Sequence, residues 1–320
     1  MKTKLITAGL MAAAFATLSA CKKNNDAPVF TKAADFWSTH AIPEQNFSGD
    51  AETGFTITGE KGIKIKFPPN AFVDGSGTVV TGNVNVMLKE VMSKKDVLLS
   101  GVFTEANGQL LESGGELQVK AKKGDTKLFI NPALNPDSAI QVEVPKDMNN
   151  RDMGLFVQAK RDQGQASGGG SGDYQYPETW MPAPYYPFGN GPTSYIFNLP
   201  DFTWVNCDVF YSNPNPKTTI TVSPVFADDN NVTDLQVMLV FKNITTVVTL
   251  PYDFGLQQFK SYENSLPVGL EADLVLIGKD SEGYIQFGTQ PVTISANLHV
   301  DATMHRSSQA EVDAFLGTIQ

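Results

Sequence analysis

Short runs of alternating apolar and polar residues recur along most of the chain. Ile63, Ile65 and Phe67 alternate with Lys64 and Lys66 before Pro68-Pro69 stops the run. Val84, Val86 and Leu88 alternate with Asn83, Asn85 and Lys89, and Leu117, Val119 and Ala121 with Gln118 and Lys120. Ile140, Val142 and Val144 repeat the pattern around Gln141 and Glu143. A period of two sends one side of a strand into a core and leaves the other in water, as in antiparallel sheets. Turn signals fall between the runs: Asp74-Gly75-Ser76-Gly77, Asn107-Gly108, Ser113-Gly114-Gly115 and Lys123-Gly124-Asp125. This spacing predicts a sandwich or barrel.

The rhythm breaks over 149–192. A Gly/Ser run, Ser167-Gly-Gly-Gly-Ser-Gly172, has nothing to pack. A proline-rich aromatic segment follows, with Tyr174, Tyr176, Trp180, Tyr185, Tyr186 and Phe188. A loop of this length is functional or a linker, so 149–192 is expected to join two domains, with Leu155 to Ala159 free to add a last strand to the first. From Ser194 the β pattern resumes through Phe202–Phe210, Thr218–Val222, Leu235–Phe241, Thr245–Leu250, Ala272–Ile277 and Val292–Val300. Asp228-Asp229-Asn230-Asn231 and Lys279-Asp280-Ser281-Glu282-Gly283 are expected hairpin tips. Ser308 and Glu311 form a capping box ahead of an apolar stripe of Val312, Phe315, Leu316 and Ile319, which predicts a short terminal helix. A second helix start is expected at Thr31 to Trp37. The fold class is therefore all-β: two β-sandwich-like domains, at 51–148 and 193–306, a Gly/Pro/aromatic-rich linker between them, and a short C-terminal helix at 307–320.

The first twenty residues follow a different rule. Lys2 and Lys4 precede an apolar stretch, Leu5 to Thr17, of about thirteen residues, where a membrane span needs about twenty. Leu18-Ser19-Ala20-Cys21 then matches the lipobox of bacterial lipoproteins, which implies cleavage after 1–20 and lipidation of Cys21. The bland alternative is an ordinary signal cut near Ala20. Multiple acyl chains hold a protein stably where one does not, since each buried methylene contributes about 0.8 kcal/mol. Residues 21–50 are expected to be a tether. It begins Lys22-Lys23-Asn24-Asn25-Asp26, similar to tethers of Bacteroidetes lipoproteins. Lys22 is not the Asp that retains enterobacterial lipoproteins in the inner membrane, so the expected address is the outer membrane.

Charge narrows the partners. The chain carries 24 basic and 34 acidic residues, and removing Lys2 and Lys4 takes its formal charge from −10 to about −12. Nucleic acid and anionic lipid are poor partners for such a chain, because phosphate binding rests on Lys and Arg. After lipidation only Cys207 remains. It can make no internal disulfide, and its strand context marks a buried cysteine rather than a reactive thiol.

The run Lys61-Gly-Ile-Lys-Ile-Lys-Phe-Pro-Pro-Asn-Ala-Phe72 resembles the ZU-five domains of ankyrins and netrin receptors. Leu98-Leu-Ser-Gly101, Gly108-Gln-Leu-Leu111 and Glu116-Leu-Gln-Val119 resemble that family's second half. The resemblance covers about 55–145 and implies a β-sandwich interaction module with no activity. The same pattern recurs in Bacteroidetes envelope proteins. Some ZU-five relatives cleave themselves at a His-Phe-Ser step, but no His lies between His40 and His299.

Chemistry-bearing groups are few. His299 and Asp301 share a strand face and are the one candidate pair for acid–base work, as in a hydrolase. They could also be part of a metal site, but a partly exposed strand end is the favoured reading. Asp228, Asp229, Asn231 and Asp234 offer oxygens to calcium, without the Gly and distal Glu of an EF-hand loop. No zincin, nucleophile-elbow, Walker or Rossmann fingerprint occurs, and no cofactor is implied. Trp180, Tyr185 and Tyr186 are the candidate ligand contacts, since Tyr and Trp stack on sugar rings and anchor interfaces. The competing reading packs this strap between domains. Together these expectations describe a membrane-anchored envelope protein that binds or scaffolds, with an envelope protein or a glycan as partner, and no nucleic acid. The glycan alternative places it beside a polysaccharide-uptake system.

Overall fold

The computed structural model describes residues 29–135, 139–146, 151–159, 179–228 and 231–319. The signal segment, Cys21, the first residues of the tether, the Gly/Ser run, Tyr174, Tyr176, Asp229 and Asn230 lie outside them. The described chain is all-β, with three short helices: α1 (Ala33–His40), α2 (Lys94–Ser100) and α3 (Gln309–Leu316). Among the described residues no helix is long and apolar enough to cross a membrane.

The alternating runs become strands whose apolar side is the core. In the first sandwich, Asn83–Val91 lies between Gln45–Asp50 and Gln109–Lys123, and the sheet continues through Trp204–Phe210 to Gly154–Ala159 and Thr179–Pro182. A five-stranded sheet faces it, running from Phe188–Asn190 through Ser194–Asn198, Gln141–Pro145 and Lys64–Phe67 to Phe55–Thr58. Val84, Val86, Leu88, Leu117 and Val119 pack against Ile65, Phe67, Val142, Val144 and Phe197 between the two. Burying each such side chain contributes about 1.5–3 kcal/mol.

Two boundaries differ from the expectation. Ser194–Asn198 and Trp204–Phe210, expected to open the second domain, pair with Gln141–Pro145 and Gln109–Lys123 of the first sandwich. Thr179–Pro182 and Phe188–Asn190, expected in the linker, are strands of that same sandwich. The crossing to the second sandwich is made by Tyr211-Ser-Asn-Pro-Asn-Pro216, between Trp204–Phe210 and Lys217–Thr218. Local alternation identifies a strand but carries no information on its partner.

The second sandwich is one sheet bent through a corner. Thr233–Phe241, Glu271–Lys279 and Ile285–Thr293 form antiparallel neighbours. Ile285–Thr293 pairs with His299–Arg306 only at Gln286–Arg306 and Phe287–His305, after which His299–Arg306 runs parallel to Thr221–Phe226. A Cβ on Gly288 would collide with the Thr303 carbonyl, so the close approach at this corner requires a glycine. Val222, Val300 and Met304 thus meet Val237, Leu239, Leu274 and Leu276 in a second core. The 279–283 turn closes a hairpin as expected; the strands on either side of the other expected tip, Thr221–Phe226 and Thr233–Phe241, do not pair with each other, and Asp229 and Asn230 lie outside the described residues.

The expected tether is partly folded. Residues 31–42 dock on the second sandwich and Gln45–Asp50 is an edge strand of the first. Phe36 and Ala33 of α1 pack with Val312 and Leu316 of α3, Val97 and Leu98 of α2, and Val275, Ile285 and Phe287 of the sheet. Thr31 does not cap α1, whose N-cap is Lys32 without a side-chain bond. Its hydroxyl instead accepts the N–H of Gln309 at 2.8 Å. The α3 cap is as expected, with Ser308 accepting from the Glu311 N–H at 3.3 Å.

The sandwiches are locked together. Leu110, on a first-sandwich strand, belongs to the second core. Ser113 N–H donates to the Thr245 carbonyl at 3.0 Å, and Thr246 Oγ1 to the Leu111 carbonyl at 2.6 Å. Buried Lys94 reaches from α2 to donate to the carbonyls of Phe241 and Lys242 at 2.9 and 3.0 Å.

Candidate functional site

The aromatic strap divides. Trp180 is 1% exposed, and its indole N–H donates to the Phe103 carbonyl at 2.9 Å. With Phe156, Leu111 and Ala106 it fixes the segment after α2 onto the outer face of the first sheet. Trp180 is therefore a packing anchor, which corrects its expected role as a ligand contact. A buried indole needs a partner for its N–H, and here a backbone carbonyl supplies it. Tyr185 and Tyr186 point outward, 96% and 41% exposed. They sit on a turn that Pro184 helps set and that closes by Tyr186 N–H donating to the Ala183 carbonyl at 3.2 Å. Met181, 47% exposed, precedes them. These three are the large exposed apolar side chains of the segment.

His299 and Asp301 lie on an open strand face. His299 Nε2 is 3.4 Å from Asp301 Oδ1, and its Nδ1 is 2.7 Å from Thr221 Oγ1. The side chains are 41% and 71% exposed. The other histidines are also paired: His40 with Asp313 at 2.7 Å, and His305 with Glu311 at 2.8 Å.

The acidic loop is engaged internally. Asp228 Oδ2 accepts the Arg306 N–H at 2.7 Å, and Asp234 pairs with Lys279 at 2.6 Å. Among the described residues no three His, Cys, Asp or Glu converge as metal ligands. Asn231 is among the described residues and Asp229 is not.

Cys207 is fully buried, and burial, reinforced by Asp208, pushes its thiol well above the ordinary range. The thiolate is the reactive form, so this environment keeps the sulfur inert.

One cluster was not legible from motifs. Ser113, Glu116, Asn206 and Asp208 are all buried where the outer face of the first sheet meets the second sandwich, and buried Glu112 lies next along the strand, opposite Val209 on the other face. Asn206 Nδ2 donates to Asp208 Oδ2 at 2.6 Å and to Glu116 Oε1 at 3.3 Å, while Ser113 Oγ donates to Asn206 Oδ1 at 3.0 Å. Glu112 pairs with Arg151 at 3.0 Å. Burial pushes Glu116 well above the carboxylate range, with Asp208 and Asp96 adding to it. Burial does the same to Asp208, with Glu112 adding and the Ser113 hydrogen bond opposing. Both groups favour the neutral acid. Beside them a cavity of about 30 Å³, lined by Met92, Ser113, Gly115 and Thr245 among others, has room for about one water. The sequence signal was the break in alternation at Leu-Glu-Ser-Gly-Gly-Glu and Asn-Cys-Asp, where both strand faces carry buried residues.

No protein-family model matches the chain, and no curated protein matches it.

Proposed function

We propose that this is a lipid-anchored protein of the bacterial cell envelope that works by binding or scaffolding, held in the outer membrane by acyl chains on Cys21. The observation that carries this reading is the Leu18-Ser19-Ala20-Cys21 lipobox behind a charged and apolar leader. The net negative charge supports a protein rather than a nucleic acid partner. Its β-sandwich and the residues at 61–72, 98–101 and 108–119 support a ZU-five-like interaction module. The reading also agrees with a rigid two-sandwich body, since a scaffold needs fixed spacing between its surfaces.

The test is mass spectrometry of the mature N-terminal peptide, together with fractionation of wild type and Cys21→Ala. Acylated Cys21 and release of the variant from the membrane are expected. An unmodified Cys21, or a variant retained as well as wild type, sinks the anchor. For the binding role, wild type recovered from solubilised envelope should bring a stoichiometric protein that the Cys21→Ala control lacks. Its absence removes the scaffold reading.

A second reading, glycan capture beside a polysaccharide-uptake system, is favoured by the outward rings of Tyr185 and Tyr186. Binding to a panel of polysaccharides that disappears in Tyr185→Ala/Tyr186→Ala would select it. The open, exposed setting of His299 and Asp301 gives the hydrolase reading no support.

A further inference from the structure

The place where the chain joins its folded body is built as a clasp. Thr31 N–H donates to the Ser307 carbonyl, Ile285 N–H to the Thr31 carbonyl and Ala33 N–H to the Gly283 carbonyl, at 3.3, 2.9 and 2.9 Å. Lys32 Nζ sits 3.4 Å above the Tyr284 ring and donates to the Glu282 carbonyl at 2.6 Å. Arg306 lies 4.7 Å from the centre of the same ring and 5.7 Å from that of Phe30, and it pairs with Asp280 and Glu282. Cations held over aromatic faces are attracted to them electrostatically, so the exit of the chain is fixed in position.

That clasp is at one end of the second sandwich, and the first sandwich is at the other. Register shows it. Tyr284 precedes Ile285, which is opposite Lys279, whereas Phe241 is opposite Ala272 and Ala272 is opposite Val292. Lys94 of the first sandwich binds the carbonyls of Phe241 and Lys242, at the Val292 end. Seven residues of strand at about 3.4 Å each separate the two ends by about 24 Å. Beyond the junction, Gln109–Lys123 runs from Leu110 in the second core to the turn at Gly124, about 48 Å further along that strand.

We infer that the end of the second sandwich formed by the 280–283 turn, the clasp and the start of α3 faces the lipid bilayer, and that the first sandwich projects away from it. The inference rests on the lipid anchor proposed above. Eight peptide steps join Cys21 to Val29, and at full extension they reach about 28 Å. The bilayer surface is therefore within that distance of Val29, less than the separation between the clasp and the far end of the first sandwich. Asp228, Asp234, Asp280, Glu282 and Glu311 outnumber Lys32, Lys279 and Arg306 on this end, so the acyl chains, not charge, hold it there.

The test uses full-length lipidated protein added to preformed vesicles with an acceptor dye on the lipid headgroup. A donor is attached at Ser281→Cys or at Asp125→Cys, both exposed sites, while buried Cys207 stays unlabelled. Energy transfer several-fold greater from 281 than from 125 is expected, unchanged between phosphatidylcholine vesicles and vesicles containing phosphatidylglycerol. Equal or reversed transfer by a protein whose Cys21 is shown acylated overturns the orientation alone. Transfer that rises with phosphatidylglycerol overturns the claim that acyl chains alone hold this end. An unacylated Cys21 overturns the anchor and the orientation with it.

Discussion

Thr104 and Val247 lock to each other across the two sandwiches. The Thr104 N–H and hydroxyl both donate to the Val247 carbonyl, at 2.9 and 3.0 Å, and the Val247 N–H donates to Thr104 Oγ1 at 2.7 Å. Both residues are fully buried. One short side chain thus satisfies backbone groups of a partner 143 positions away.

Thr104→Val keeps the shape of the side chain and strands the Val247 N–H in a dry junction. The expected loss is about 1–3 kcal/mol in chemical denaturation. A variant as stable as wild type would mean that water reaches this contact.

The strap should separate by energetics as it does by exposure. Trp180→Ala should cost about 3–5 kcal/mol, as truncations of buried large aromatics do. Tyr185→Ala should change stability by no more than about 0.5 kcal/mol. Thermal melts of the two variants check this, and equal losses would show that Tyr185 is packed.

Glu116 and Asp208 predict that stability falls as pH rises. In the unfolded chain both carboxyls ionise at about pH 4, whereas in the folded protein both pKa values are raised by burial. Between the two ranges the folded state binds more protons than the unfolded, so the stabilisation is complete below the unfolded range and is lost as pH rises through the folded one. Each group contributes a slope of up to about 1.4 kcal/mol per pH unit in that window. Asp208→Asn retains an acceptor for Asn206 and removes one titration, so its denaturation midpoints should depend less on pH and exceed wild type above neutrality. Parallel profiles would refute the raised pKa.

Phe36→Ala should release α1 from its bed. Phe36 is fully buried against α3, so a loss of about 3–5 kcal/mol is expected, with new proteolytic cleavage within residues 29–44. Unchanged protection of that segment under limited proteolysis would count against the docking.

Strands were legible because burial on one face leaves a period of two, and Ile65, Phe67, Val142 and Val144 follow it. Partnership was not. Val205 and Cys207 show the same alternation whichever sheet receives them, and only the long-range pairing with Leu117 and Leu155 assigns them to the first sandwich. Within the expected tether at 21–50, the helix start at Thr31 to Trp37 is legible but its docking is not, because its partners, Gly283 to Leu316, lie more than 240 residues further along the chain. The rings at 180, 185 and 186 are alike in sequence, but Trp180 alone lies opposite a strand, at Gln158. The acids at 116 and 208 carry no local sign of burial because charged residues are expected in water, and what covers them is a second sandwich far along the chain.

The docking of α1 also sets an order of events. Residues 31–42 are made well before Gly283, Ser307, Val312 and Leu316, which receive them. While the residues between them are being made, this segment has no seat, and Leu110 waits for a core whose strands begin after residue 217. The body therefore closes over residues 31–42 only after the strand His299–Arg306 and α3 have been made.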